Sequence, residues 1–94
     1  MSYFVYVLLS IKDKKLYVGC TSNITERFAK HSRGEVIATK NRRPLELIYS
    51  EKIDNKTEAF NRERFLKSLW GSREKKKILK EYLHKIGRSN VLDN

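Results

Sequence analysis

An α+β domain is the fold class this chain predicts: a small three-stranded antiparallel sheet flanked by three helices, in the order β-β-α-β-α-α. Three observations predict it. Two segments rich in aromatic and β-branched residues lie a hairpin's length apart. A third such segment follows a helical stretch. The C-terminal part carries apolar residues at helical spacing. At 94 residues the chain suits one domain. Residues 1–87 are expected to form that domain and 88–94 a flexible tail.

Tyr3 to Ser10 (YFVYVLLS) reads as the first strand, and its continuous apolar run predicts burial on both faces. Lys12 to Lys15 makes the turn. Leu16 to Thr21 (LYVGCT) is the second strand. Tyr6 and Tyr17 share a face only if Tyr6 pairs with an odd-numbered position on that strand, and sequence does not fix the register. Asn23 with Glu26 three residues later is a helix-start signal. The helix runs from Ile24 to about Ser32 and ends near Gly34, with Ile24 and Phe28 as its apolar stripe. Arg27 and His31, four residues apart, project side by side. A loop with Lys40, Arg42, Arg43 and Pro44 leads to the third strand, Leu45 to Glu51. The second helix is expected from Asn55 or Thr57 to about Trp70, with a stripe of Ala59, Glu63, Leu66 and Trp70. Ser72 is expected to cap the third helix. Its stripe is Ile78, Leu79, Tyr82, Leu83 and Ile86, and Gly87 stops it.

Charge narrows the partners. Lys and Arg number 21 against 11 Asp and Glu, a net charge of +10. Such an excess favours polyanions, nucleic acid first, against the simpler reading of a solvated basic surface. Lys40, Arg42 and Arg43 form one basic cluster and Lys75, Lys76 and Lys77 another. Cys20 is the single cysteine, so no internal disulfide forms and a reducing cytosol is the simplest setting. The longest apolar run, Phe4 to Leu9, is too short to span a membrane. No charged n-region precedes it and no small-residue cleavage site follows it. There is no His/Cys cluster with zinc spacing and no glycine-rich phosphate loop.

Five residues have a chemical reading beside a structural one. Glu63 interrupts an apolar stripe. It pairs with an arginine such as Arg62 or Arg27, or its stripe is rotated slightly outward, or it holds a cation. One carboxylate with waters and a substrate phosphate is an ordinary Mg²⁺ arrangement. Arg27 and His31 read as a solvated helix face, or as a phosphate-binding fork beside a group that exchanges protons near neutral pH. Tyr6 and Tyr17 read as strand packing, or as phenols for proton transfer. A phenol titrates near pH 10, and lowering that by three units needs roughly 4 kcal/mol of differential stabilisation from a metal or Lys15. Cys20 and His84 read as structural.

Taken in order, Phe4-Val5-Tyr6, then Tyr17-Val18-Gly19-Cys20-Thr21-Ser22, then Arg27-Phe28-x-x-His31, then Ala59-x-x-x-Glu63 with Leu66-Lys67, resemble the GIY-YIG nuclease superfamily, most closely its small stand-alone members. The stretch from Thr39 to Leu47 with Arg42-Arg43-Pro44 is similar to that group as well. The resemblance runs from about Tyr3 to Lys77. Phe4 stands where the family has its first glycine, and both central isoleucines are valines. Many active relatives carry an asparagine downstream of the metal glutamate. Here Asn61 precedes Glu63, and Asn90 lies beyond the third helix.

The resemblance implies a catalytic set of Tyr6, Tyr17, Arg27, His31 and Glu63. Tyr6, ahead of Tyr17, would help activate a water for in-line attack on phosphorus. Arg27 would contact the scissile phosphate and His31 would assist. Glu63 would hold one divalent ion, Mg²⁺ or Mn²⁺. The backbone near Gly19 would admit the substrate, with Lys15, Lys67 and the two basic clusters along it. The expected activity is metal-dependent cleavage of DNA, structure-selective or weakly specific. The alternatives are a nucleic-acid-binding module without efficient catalysis, open to RNA, and a subunit that gains its substrate through a protein partner. No membrane partner is expected.

Overall fold

The structure, a computed structural model, describes residues 1–87; the expected tail and Asn90 lie outside them. Three strands, β1 (Tyr3–Ser10), β2 (Leu16–Thr21) and β3 (Leu45–Ile53), form an antiparallel sheet in the order β2-β1-β3. The central place of β1 explains its unbroken apolar run, since both of its faces are covered. Val5 to Ser10 are all buried. The sheet lies between helical layers. Helix α1 (Ile24–Arg33) packs Ile24 and Phe28 on the face of Tyr6, Leu8, Leu45 and Leu47. Helices α2 (Lys56–Lys67) and α3 (Ser72–Lys85) pack Ala59, Leu66 and Ile78 on the face of Val5, Val7 and Val18. The expected β-β-α-β-α-α order stands, with two short 3-10 turns added, Lys40–Arg42 and Leu69–Gly71.

Register decides which side chains meet. Tyr6 pairs with Gly19 and Leu8 with Tyr17, so both tyrosines lie on the α1 face. On the other edge Val7 opposes Tyr49 and Leu8 opposes Leu47. The irregularity between them sends Leu47 toward α1 and Tyr49 toward α2 and α3.

Helix starts follow the sequence closely. Asn23 caps α1 by accepting from the Glu26 N–H at 3.0 Å, and Asn55 caps α2 by accepting from the Glu58 N–H at 2.9 Å. Gly34 ends α1 with φ 80°. The end of α2 differs from expectation. It stops at Lys67, three residues early, because the Ser68 N–H and hydroxyl both turn back onto the Phe65 carbonyl, at 3.1 and 2.6 Å. Trp70 therefore leaves the apolar stripe and stands 85% exposed in the 3-10 turn. Ser72 is the first residue of α3, not its cap, and its hydroxyl donates to the Leu69 carbonyl at 2.7 Å. Ile86, expected on the apolar stripe of α3, is 41% exposed. Arg62 ties the far layer together, donating to Glu51 of β3 at 2.9 Å and pairing with Glu74 of α3.

Candidate active site

The site forms where α1 packs on the sheet face that carries Tyr6. His31 is fully buried, contrary to the solvated-face reading of its helix. Its Nε2 lies 2.9 Å from the Tyr6 hydroxyl and its Nδ1 lies 2.7 Å from the Thr39 hydroxyl. Arg27, one turn earlier on α1, donates its Nε–H to the Tyr6 oxygen at 3.4 Å. The Tyr17 ring lies edge-on to His31 with centroids 5.3 Å apart, and 6.4 Å from the ring of Tyr6. Four of the five expected catalytic residues thus share one cluster.

Gly19 is what allows it. The Tyr6 ring lies across Gly19 on the paired strand, and a methyl built there would overlap the phenol Cζ and hydroxyl. The missing side chain makes the space that the ring occupies.

Burial sets the protonation states. Loss of solvation, with the Arg27 charge second, lowers the His31 pKa to about 4, so its imidazole is neutral at pH 7. Burial also raises the Tyr6 pKa above its ordinary value. The Arg27 hydrogen bond opposes that rise and only partly offsets it. The resting pair is therefore a neutral phenol against a neutral imidazole. A neutral imidazole has one donor and one acceptor nitrogen, and two hydroxyls satisfy both.

Glu63, the fifth, comes from a different layer. It lies on α2, in the layer on the other face, and pairs with Lys67 at 2.9 Å rather than with Arg62 or Arg27. It is near enough to raise the pKa of Tyr6 and of the half-buried Cys20, as the least of the causes at Tyr6 and the second at Cys20 after burial. Cys20 packs against the α2 side of the sheet, as expected. No group of three or more His, Cys, Asp or Glu side chains suited to a metal occurs among the described residues. Glu63 fits a divalent ion only as a single protein ligand, with water and substrate supplying the rest.

The basic residues divide between surfaces. Lys40, Asn41 and Arg43 line an open cleft of about 530 Å³ with Ser32 of α1 and Lys12. Arg42 is held in an ion pair with Asp13 at 2.9 Å. A backbone hydrogen bond from Lys15, ahead of Arg42, lowers the Asp13 pKa to about 2. Lys15 is exposed in the β1–β2 turn. Lys75, Lys76 and Lys77 lie on α3, remote in sequence from the tyrosine cluster, and His84 is exposed on the same helix. Sequence reading missed Thr39. It is fully buried, and a threonine in a loop gives no signal that it holds a histidine eight residues away.

The chain belongs to the GIY-YIG catalytic domain family, whose model matches residues 2–77. It is 45% identical over 78 residues to a UPF0213 protein of Natronomonas pharaonis, covering 82% of this chain and 88% of that protein. It is 40% identical over 81 residues to a UPF0213 protein of Staphylococcus saprophyticus, covering 84% and 95%. The solution NMR structure of a UPF0213 protein from Bacillus halodurans matches with a TM-score of 0.53 and 31% identity, covering 96% of this chain and 94% of that one. Membership implies a nuclease-type domain that engages nucleic acid. No helix among the described residues is long and apolar enough to cross a membrane.

Proposed function

We propose that residues 1–87 act as a divalent-metal-dependent endonuclease that hydrolyses a phosphodiester of DNA with structure selectivity or weak specificity. One observation carries the reading: the Tyr6 oxygen is joined at once to a neutral histidine and a permanent cation. That is a proton-handling group beside a phosphate-binding fork. Family membership supports it.

Tyr6 accepts the proton of the attacking water as its own hydroxyl proton passes to His31 Nε2. Arg27 binds the phosphate. Its neutralisation by that phosphate removes one of the two causes that hold the His31 pKa down, so the imidazole accepts the proton more readily with substrate bound. Tyr17 walls the cluster through its ring contacts with Tyr6 and His31. A Mg²⁺ or Mn²⁺ ion on Glu63 would neutralise charge at the leaving oxygen.

A second reading, a nucleic-acid-binding module without efficient catalysis, is favoured by the engagement of Glu63 with Lys67. The deciding experiment incubates the chain with single-stranded, duplex, flap and branched DNAs and RNAs, with Mg²⁺ or Mn²⁺ against chelator. Metal-dependent cleavage that is lost in Glu63→Gln with binding retained supports the first reading. Binding with no cleavage of any substrate supports the second.

A further inference from the structure

Beyond the tyrosine cluster, the surface carries a feature that packing does not explain. Leu69 and Trp70 are 90% and 85% exposed at the 3-10 turn between α2 and α3. The turn does not bend away by default. Gly71 is buried against the end of α2, so close that a methyl there would overlap the Phe65 carbonyl. This fixed contact holds the turn down and points the two large apolar side chains outward. Large apolar side chains left together in water mark a surface for a partner.

Trp70 borders two clefts. One cleft, of about 480 Å³, includes Phe65, Arg73 and Lys77 but also Glu74 and Glu81. The other, of about 520 Å³, is lined by Leu69, Trp70, Ser72, Arg73 and Lys76, with no acidic side chain. From residue 67 to 77 the chain holds five basic residues, Lys67, Arg73, Lys75, Lys76 and Lys77, against Glu74 alone. Glu74 is itself paired with Arg62. A second copy of the chain docked here would bring two such fields together, which like-charge repulsion opposes.

We infer that Trp70, with Arg73 and Lys76, forms a stacking platform for an unpaired base of single-stranded nucleic acid. The base lies on the indole face that fronts the acid-free cleft, and Arg73 and Lys76 take the flanking phosphates. Every base offers a π-face, so the platform selects strandedness and not sequence. A duplex keeps its bases stacked on each other and gains nothing from the indole. The inference rests on the nucleic-acid reading of the domain and adds to it the class of substrate, one with a single-stranded segment.

Trp70 is the chain's only tryptophan, so its emission reports on this site alone. The full chain, in chelator to prevent cleavage, is titrated with labelled oligothymidylate and with a labelled blunt duplex. Label anisotropy reports binding and tryptophan emission reports stacking. Emission should be quenched in step with oligothymidylate binding and little changed by the duplex. Trp70→Leu should bind oligothymidylate about tenfold more weakly, Trp70→Phe should keep most of the affinity, and duplex affinity should hold within about twofold in both. Binding without quenching, or equal affinities for Trp70→Leu and Trp70→Phe, overturns the platform and leaves the nucleic-acid reading intact. Failure to bind either oligonucleotide overturns both. An emission shift on anionic lipid vesicles, or a dimer lost in Trp70→Leu, without oligothymidylate quenching assigns the surface to a membrane or a second copy and overturns it too.

Discussion

The Tyr6 hydroxyl and His31 Nε2 meet at 2.9 Å between two buried side chains. Such a contact is costly to break. Tyr6→Phe leaves the ring's packing in place and leaves Nε2 without a partner. It should cost about 1–3 kcal/mol of stability, measured by denaturant unfolding. Cleavage should fall by about 10²- to 10⁴-fold, the usual contribution of a positioned proton-transfer group. Unchanged cleavage in a stable Tyr6→Phe protein would remove Tyr6 from the chemistry.

Acid should weaken this fold before the carboxylates titrate. The folded pKa of His31 is about 4 against an ordinary value of 6.5. The unfolded chain thus binds the proton more readily between those values. The stability that His31 contributes is present above pH 6.5 and is lost as pH falls toward 4. The shift corresponds to about 3 kcal/mol. His31→Gln should flatten the stability profile between pH 6.5 and 4.5. A wild-type profile already flat there would show that His31 titrates normally.

How much of this was legible depends on what each feature is made of. Local signals read well. Asn23 and Asn55 cap the helices they precede, and the unbroken run in β1 is a strand covered on both faces. Register was not legible, yet Tyr6 opposite Gly19 is what places both tyrosines on one face. The partners of His31 were illegible for a similar reason. Thr39 reaches it through a loop whose path depends on tertiary packing. Trp70 misled because helical periodicity was extended past Ser68, where a backbone turn onto Phe65 ends the helix. Glu63 sits at a core-like spacing but reaches its neighbour Lys67, four residues on, so spacing alone gave its helix position and not its partner.

Gly19→Ala tests the crossing of ring and strand. Alanine at an ordinary strand position is not harmful, since glycine is the weaker strand former. Here the added methyl meets the Tyr6 ring and hydroxyl. The ring must move, which breaks its contacts with His31 and Arg27. Stability should drop by about 1–3 kcal/mol, the cost of overpacking a core. Cleavage should fall with it, and the Tyr6–His31 hydrogen bond should vanish from NMR spectra. A neutral or stabilising Gly19→Ala would mean that the ring has room elsewhere.

Thr39 separates a positioning role from a packing one. Its hydroxyl sits 2.7 Å from His31 Nδ1, with both residues fully buried. If it accepts the Nδ1 proton, Nε2 is left as the acceptor that Tyr6 needs. The Arg27 bond to the Tyr6 oxygen favours this arrangement, because a hydroxyl that accepts a hydrogen bond becomes a better donor. Thr39→Val keeps the shape and removes the hydroxyl. It should cost about 1–3 kcal/mol through the unsatisfied nitrogen. It should also mix the His31 tautomers, read from imidazole ¹⁵N shifts, and slow cleavage while binding is unchanged. Thr39→Ser keeps the hydroxyl and loses one methyl, worth about 0.8 kcal/mol. It should retain the Nδ1–H tautomer and most of the cleavage rate. Both variants destabilised alike, with tautomer and rate unmoved, would reduce Thr39 to a packing residue.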